Sequence, residues 1–420
     1  MNRLGERAAE LDAHNPLAQF HDRFVVAEPE LCYLDGNSLG RLPRATAQRL
    51  ATVVGEEWGR GLIRSWDDWI DRAAEVGDRL GVACLGAAPG AGETVIADST
   101  TINLHKAVRA AVAARPRSAA IAVDPHEFPT DRYVVASVAT EHGLVVRHLG
   151  GDPVEGPSPQ DVEAVLGAGD VGVLVLSIVG YRSGALVDVA AVEEVAARSG
   201  TIVVWDASHA VGAVPIDLGA AGAALCVGCT YKHLHGGPGA PAFLWVSSSR
   251  AAAEGLRNPL PGWFAHADQF GMADPFEAVS GAAGWLSGTS PVLALAAVDE
   301  GVALIEQAGI DAVRAVSLSL GRLAQAGWAQ MLAPRGVDLG SPAAGTRRGG
   351  HLSVTHAAAA GVAAAMREMG VVPDFRTPTS IRLGFAALST THADVVRGIG
   401  TIADVIDAGA HLGRSQARVT

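Results

Sequence analysis

Seven short apolar runs rich in β-branched residues fall between residues 93 and 246. They are ETVIAD (93–98), SAAIAVD (118–124), GLVVRHL (143–149), GVLVLSIV (172–179), TIVVWDAS (201–208), AALCVGCTY (223–231) and APAFLWV (240–246). Amphipathic stretches such as SPQDVEAVLGAG and DVAAVEEVAARSG separate several of them. A strand covered by helices on both faces has no solvent face to make polar. Apolar strands alternating with helices therefore predict a mostly parallel sheet, buried on both sides. The expected fold class is α/β, with a mostly parallel seven-stranded sheet in a large domain. A long helical stretch starts at Pro291, and the shorter pieces beyond it, RGGHLSVTH, HAAAAGVAAAMREMG and TSIRLGFAAL, predict a smaller α/β domain. We expect residues 1–45 to pack with that smaller domain, 46–290 to form the large one, and 291–420 to supply the linking helix and the small domain.

Ligands of such sheets bind beyond the carboxyl ends of the strands, so the residues after each run matter most. Ser99, Thr100 and Thr101 follow the first run where a helix opens. Hydroxyls and free N–H groups at a helix start either cap the helix or hold an anion such as phosphate. Asp206 and His209 lie at the end of the fifth run. They read either as a helix cap and a core histidine, or as a carboxylate for a protonated ring nitrogen with an imidazole over the same ring. Lys232 follows the sixth run, within GCTYKHLHGGPG, and is one of only two lysines in a chain with 30 arginines. A guanidinium stays protonated at any working pH, whereas an enclosed amine can lose its proton and act as a nucleophile.

Taken together, an anion cradle, an acid for a pyridinium nitrogen and an isolated amine are what pyridoxal 5'-phosphate (PLP) requires. The expected cofactor is therefore PLP and the expected partner a small-molecule amino-acid substrate. Lys232 would then move the proton on the substrate's Cα.

Composition removes other classes. The net charge of −12 without any Lys/Arg run argues against a nucleic-acid partner. The charged start of the chain lacks an apolar core of the signal-peptide kind, and no uncharged run reaches the roughly 18–20 residues needed to span a bilayer. Four cysteines in 420 residues do not make a disulfide framework, and the Cys226/Cys229 pair reads as part of a buried strand. A cytoplasmic protein without a bound metal is expected.

Further motifs make the chain resemble the kynureninases, within the fold type I group of PLP enzymes. They are YLDGNSLGRLP (33–43), EFPTDRY (127–133), WDASHAVG, CTYKHLHGGPGAPAF, GWFAH (262–266), SGTSP (287–291) and SIRLGFAAL. The resemblance implies that Phe128 stacks on the cofactor ring with Asp131 nearby, and that Asp206 holds the pyridinium nitrogen. It places Thr100, Thr101, Tyr231, Trp263 and Thr289 about the phosphate and surrounding atoms, some from the partner subunit of a homodimer. Ser177 and His209 match further cofactor contacts. Arg382 would clamp the substrate α-carboxylate through a bidentate pair. Asn37, Ser38, Trp66 and His266 are candidates for the rest of the substrate slot, and Tyr231, beside Lys232, for a proton donor and acceptor.

The implied reaction is hydrolysis of the Cβ–Cγ bond of L-kynurenine or 3-hydroxykynurenine, giving an anthranilate and L-alanine. Gly180, Ala265, Ser290 and Ser389 depart from the expected pattern. They leave open a substituted kynurenine, or another PLP reaction on an amino acid: a β-lyase or desulfurase, an epimerase or an aminotransferase.

Overall fold

The computed structural model describes residues 2–272 and 274–414. In chain order its strands are β1 (Cys32–Leu34), β2 (Thr94–Ala97), β3 (Ala120–Val123), β4 (Val145–His148), β5 (Val171–Ser177), β6 (Ile202–Asp206), β7 (Leu225–Gly228), β8 (Ala242–Val246), β9 (Asp338–Leu339), β10 (His351–Thr355), β11 (Val371–Arg376) and β12 (Ser380–Gly384). Strands β2 to β8 are the seven apolar runs, joined in the order β2-β8-β7-β6-β5-β3-β4. Only β8 runs against the others, pairing antiparallel with both β2 and β7. The fold class expected from the sequence is the one observed.

Helices cover both faces because the connecting segments carry their own start and stop signals. Ser158 and Asp161 cap each other's backbone at the start of the helix Pro159–Leu166. The helices Pro129–His142 and Val189–Ser199 end at Gly143 and Gly200, both in the left-handed conformation that glycine takes without strain. The central strands are buried along their whole length; Val173, Leu174, Val175, Val203, Val204 and Trp205 carry almost no accessible surface. Polar backbone is thus paired in the sheet while apolar side chains fill both interfaces.

A second sheet has the order β1-β11-β12-β10-β9. Strand β1, near the start of the chain, pairs parallel with β11, some 340 residues later. The first helix, Asn2–Ala13, packs on the last, His392–Asp407. Its Asp12 accepts from the N–H groups of His392 and Ala393 at 2.8 and 3.0 Å. Helices Val292–Ala308 and Ile310–Gly327, broken at Gly309, link the two sheets.

Candidate active site

Parallel register brings the carboxyl ends of the large sheet to one edge. Ser177 at the end of β5 lies opposite Asp206 at the end of β6, and Asp206 opposite Val227 of β7. Ala97, the last residue of β2, pairs with Ala242 at the start of β8. Residues far apart in the chain, from Ser99 through Ser177 and Asp206 to Lys232, are therefore neighbours along one rim.

Lys232 Nζ lies 2.8 Å from His209 Nε2. Lys232 keeps some accessible surface but is packed by protein on its other sides, and that burial lowers its amine below the usual lysine range. Burial, then the neighbouring Lys232, holds His209 well below the usual imidazole range and so neutral at pH 7. His209 Nδ1 is buried with no hydrogen-bond partner.

The acids gather on the other side. Asp131 is buried, and burial, then Asp206 and Glu127, push its carboxyl well up. Its Oδ2 has no partner. Glu127 accepts from the Ser177 backbone N–H at 2.5 Å and from the Ser177 hydroxyl, and burial pushes it up to about 8. Asp206 accepts from the Ser208 N–H at 2.6 Å. Of these three buried carboxyl groups beside one another, two are held toward the protonated form, and Asp131 Oδ2 has no donor. A pyridinium N–H is such a donor, and the neutral imidazole and proton-shedding amine beside it suit an aromatic aldehyde. The residues present therefore fit PLP, and Asp206, Asp131, His209 and Lys232 are those that would hold it.

Phe128 caps the helix Pro129–His142 and meets Tyr181 edge-on, with ring centroids 5.3 Å apart. Tyr181 leads to the second group. Arg382, fully buried in β12, donates to the Tyr181 carbonyl, to Asp374, and to Ser38 Oγ at 3.1 Å. Burial lowers its guanidinium to about 10. With its amide oxygen turned toward Arg382, Asn37 accepts from Nε and Nη2 at 3.3 Å. Arg376 also donates to Asp374, at 3.1 Å. Arg382, Asn37 and Ser38 thus stand together, with the guanidinium already paired to Asp374.

The remaining candidates are spread more widely. Thr100 and Thr101 open the helix Thr100–Ala113, whose N-cap Ser99 accepts from the Ile102 N–H. Tyr231 is half-buried; its neighbour Cys229, then burial, raises its hydroxyl. Trp66 and Trp263 flank Phe264 at 6.3 and 5.0 Å. His266 accepts from the Asp268 N–H at 2.9 Å and meets Phe276 at 5.6 Å. Trp263 and Thr289 are exposed. Among the described contacts, Trp66, Trp263 and His266 pack with this aromatic group and its loop, and not with Lys232 or its acids.

Of the departing positions, Gly180 donates to the Ala185 carbonyl at 2.9 Å, Ala265 is fully buried, and Ser290 Oγ is buried without a partner. Ser389 donates its N–H to the Ala386 carbonyl at 2.8 Å. All four cysteines are buried and unpaired.

Sequence reasoning passed over Glu127, Asp374 and His351. Glu127 directly precedes Phe128, and an acid there inside a sheet-edge motif was the available signal. Asp374 faces Arg382 only through the antiparallel register of β11 and β12. His351 meets His209 at 5.6 Å, again across the two sheets.

Residues 313–402 match the kynureninase C-terminal domain family. A kynureninase of Pseudomonas fluorescens is 36% identical over 405 residues, covering 94% of each chain. One of Deinococcus radiodurans is 39% identical over 408 residues, covering 94% of this chain and 95% of that one. The chain belongs to the kynureninase family.

Solved structures share its fold at lower identity. Apo cysteine desulfurase from Thermococcus onnurineus NA1 superposes with a TM-score of 0.77 at 17% identity, covering 90% of this chain and 95% of that one. A cysteine desulfurase of Escherichia coli gives 0.76 at 19%, covering 93% and 98%. The family assignment draws together motifs on both sheets: the Lys232 and Asp206 segments of the large sheet, and the Arg382 segment of the small one.

Proposed function

We propose that the protein is a PLP-dependent hydrolase that cleaves the Cβ–Cγ bond of L-kynurenine or 3-hydroxykynurenine, releasing an anthranilate and L-alanine. The observation that carries this reading is the enclosed Lys232 amine, shifted toward its neutral form beside Asp206, in a chain of the kynureninase family. Bound at this edge, the cofactor supplies an electron sink that makes the substrate's Cα proton removable.

The chain's own residues do the rest. Lys232 would hold the cofactor at its aldehyde and would move the proton at the substrate's Cα. Asp206, backed by Asp131 and Glu127, keeps the ring nitrogen protonated. Phe128 and His209 would hold the ring, with Ser177 positioned by Glu127. Thr100 and Thr101 hold the phosphate. Arg382, with Asn37 and Ser38, binds the α-carboxylate, exchanging part of its Asp374 pairing for the substrate. Tyr231 delivers and accepts the proton at the carbonyl where water adds. Trp66, Trp263 and His266, which pack in one aromatic group with no described contact to Lys232, complete the site across a homodimer together with Thr289.

We read residues 1–45 and 291–420 as the small domain with its linking helix, and 46–290 as the large one. A cytoplasmic location fits the unpaired cysteines, and no described helix is long and apolar enough to cross a membrane.

The test is the visible spectrum of the purified protein with PLP, followed by addition of L-kynurenine and 3-hydroxykynurenine. Release of anthranilate or 3-hydroxyanthranilate with alanine is the expected result. A spectral change without aryl-acid release sinks the reaction while leaving the cofactor. A protein that stays colourless with added PLP sinks both.

A further inference from the structure

One guanidinium beside the candidate carboxylate clamp has no part in the reading above. Arg376 lies on β11 two residues beyond Asp374, and the pleat of a strand puts such residues on one face. Asp374 is directly opposite Arg382 of β12. The two arginines share two acceptors. Asp374 Oδ2 accepts from Arg382 Nη2 and, at 3.1 Å, from Arg376 Nε. Ser38 Oγ accepts from Arg382 Nη2 at 3.1 Å and from Arg376 Nη2 at 3.4 Å.

As it stands, Arg382 is not ready to receive a carboxylate. A guanidinium pairs bidentately through Nη1 and Nη2 or through Nε and Nη2, so either pairing requires Nη2. Asp374 and Ser38 occupy that nitrogen, Asn37 takes Nε, and Nη1 donates to the Tyr181 carbonyl. The side chains of Arg382 and Asp374 are wholly buried, whereas that of Arg376 is 19% exposed. An incoming carboxylate must therefore displace Asp374 from Nη2. A buried carboxylate parted from its cation is costly unless a second cation takes it. Arg376 is such a cation, already bonded to the same oxygen.

The charges agree with this exchange. With Asp374 between them, the two guanidiniums leave one positive charge unmatched, because burial holds Asp35 toward its neutral form. Arg182 and Arg367, whose charges also act on these groups, donate to the Thr377 and Pro373 carbonyls. One substrate carboxylate brings Arg376 and Arg382 to a match of two cations with two anions. Without Arg376, a single guanidinium would face two carboxylates.

We infer that Arg376 is a positioning residue for substrate recognition, which takes over Asp374 as the substrate's α-carboxylate claims Nη2 of Arg382. The inference rests on the reading of Arg382 as the carboxylate clamp and adds the residue that frees it. Arg376 acts through Asp374 and makes no pair with the substrate.

The experiment uses the PLP-loaded protein with L-alanine and ethylamine, two amines that differ by the carboxylate, and reads binding from the absorbance of the cofactor. Wild type is expected to prefer L-alanine. Arg376→Gln is expected to lose about tenfold of that preference, and to raise KM for L-kynurenine by a similar factor with a much smaller change in kcat. In the double variant Asp374→Asn/Arg376→Gln the competing carboxylate is gone, so the preference should return to within about threefold of wild type. A direct pair between Arg376 and substrate, or a purely structural role, leaves the double variant as weak as the single one. That result overturns the inference, and so does an unchanged preference in Arg376→Gln.

Asp374→Asn alone tests the exchange with Arg376 intact. Its preference for L-alanine should rise by about threefold or more, and an unchanged or lower preference overturns the inference. Preference for L-alanine in wild type without aryl-acid release from kynurenine supports the exchange while the proposed reaction falls. A wild type that binds both amines equally overturns the exchange and leaves the cofactor assignment standing. One that responds to neither amine sinks the PLP reading and this inference with it.

Discussion

Lys106 and Lys232 are both packed at the same edge of the large sheet, yet their amines meet different partners. Lys106, on the helix Thr100–Ala113, has the Asp98 carboxylate and the Trp285 carbonyl at 2.7 Å each, so its charge is matched and its geometry closed. Lys232 has the neutral His209 at 2.8 Å, and burial works against its charge. The first arrangement holds backbone in place. The second works against the amine's charge, at some cost to the stability of the fold. In a chain that otherwise places arginine wherever it needs positive charge, lysine survives at the two places where guanidinium fails for different reasons: too bulky and flat in one, unable to deprotonate in the other.

The comparison breaks most sharply at turnover. Lys232→Ala is expected to abolish anthranilate release, and Lys232→Arg to do no better. Detectable turnover in either variant would remove Lys232 from the chemistry. Lys106→Met, saturated with PLP, should by contrast retain turnover, because the Lys106 ammonium holds backbone in place. Arg382→Lys comes next. Losing a buried guanidinium's paired donors should raise KM for kynurenine by about tenfold or more, with a smaller change in kcat. An unchanged KM would place the carboxylate site elsewhere.

Stability against pH gives smaller effects with opposite slopes. The Lys232 amine has a lower pKa folded than unfolded, so the unfolded chain binds the extra proton and the penalty is largest at neutral and lower pH. Lys232→Met should therefore raise the Tm of the cofactor-free protein at pH 7 by a few degrees, and the gain should shrink as pH climbs toward the ordinary lysine value of about 10.4. Glu127 runs the other way. Its carboxyl is pushed up to about 8 in the fold, so the stability it contributes is present below its ordinary value of about 4.3 and lost as pH rises through about 8. Glu127→Gln keeps hydrogen-bonding groups toward Ser177 while removing the titration. Its stability relative to wild type should grow over that window. A flat difference would mean that the buried acids do not share the proton in the way their packing implies.

Much of this edge was legible before any coordinates. The seven apolar runs mark the seven strands because strand burial on both faces is written locally, residue by residue, as hydrophobicity. Lys232, Asp206 and Ser177 come to one rim because Ser177 and Asp206 end strands and Lys232 follows one closely, and parallel register carries such residues to the same edge. The pairing of Arg382 with Asp374 was not legible, nor was the hold of Glu127 on Ser177. Arg382 reads from sequence as a free clamp, and only the β11–β12 register places a carboxylate against it. Glu127 finds its partner 50 residues away, through the adjacency of β3 and β5.

By itself, then, the sequence determined the layered α/β fold, and which residue types follow its strands to the edge where Asp206 and Lys232 stand, because these depend on local apolar patterning and on residue type. What only the tertiary structure decided is how each charge is met. It set Lys106 between Asp98 and Trp285, set Lys232 against a neutral imidazole, and left Asp131 and His209 each with a buried atom unpaired. Protonation follows from burial and from neighbours brought in from distant parts of the chain, and those two quantities exist only once the chain has folded.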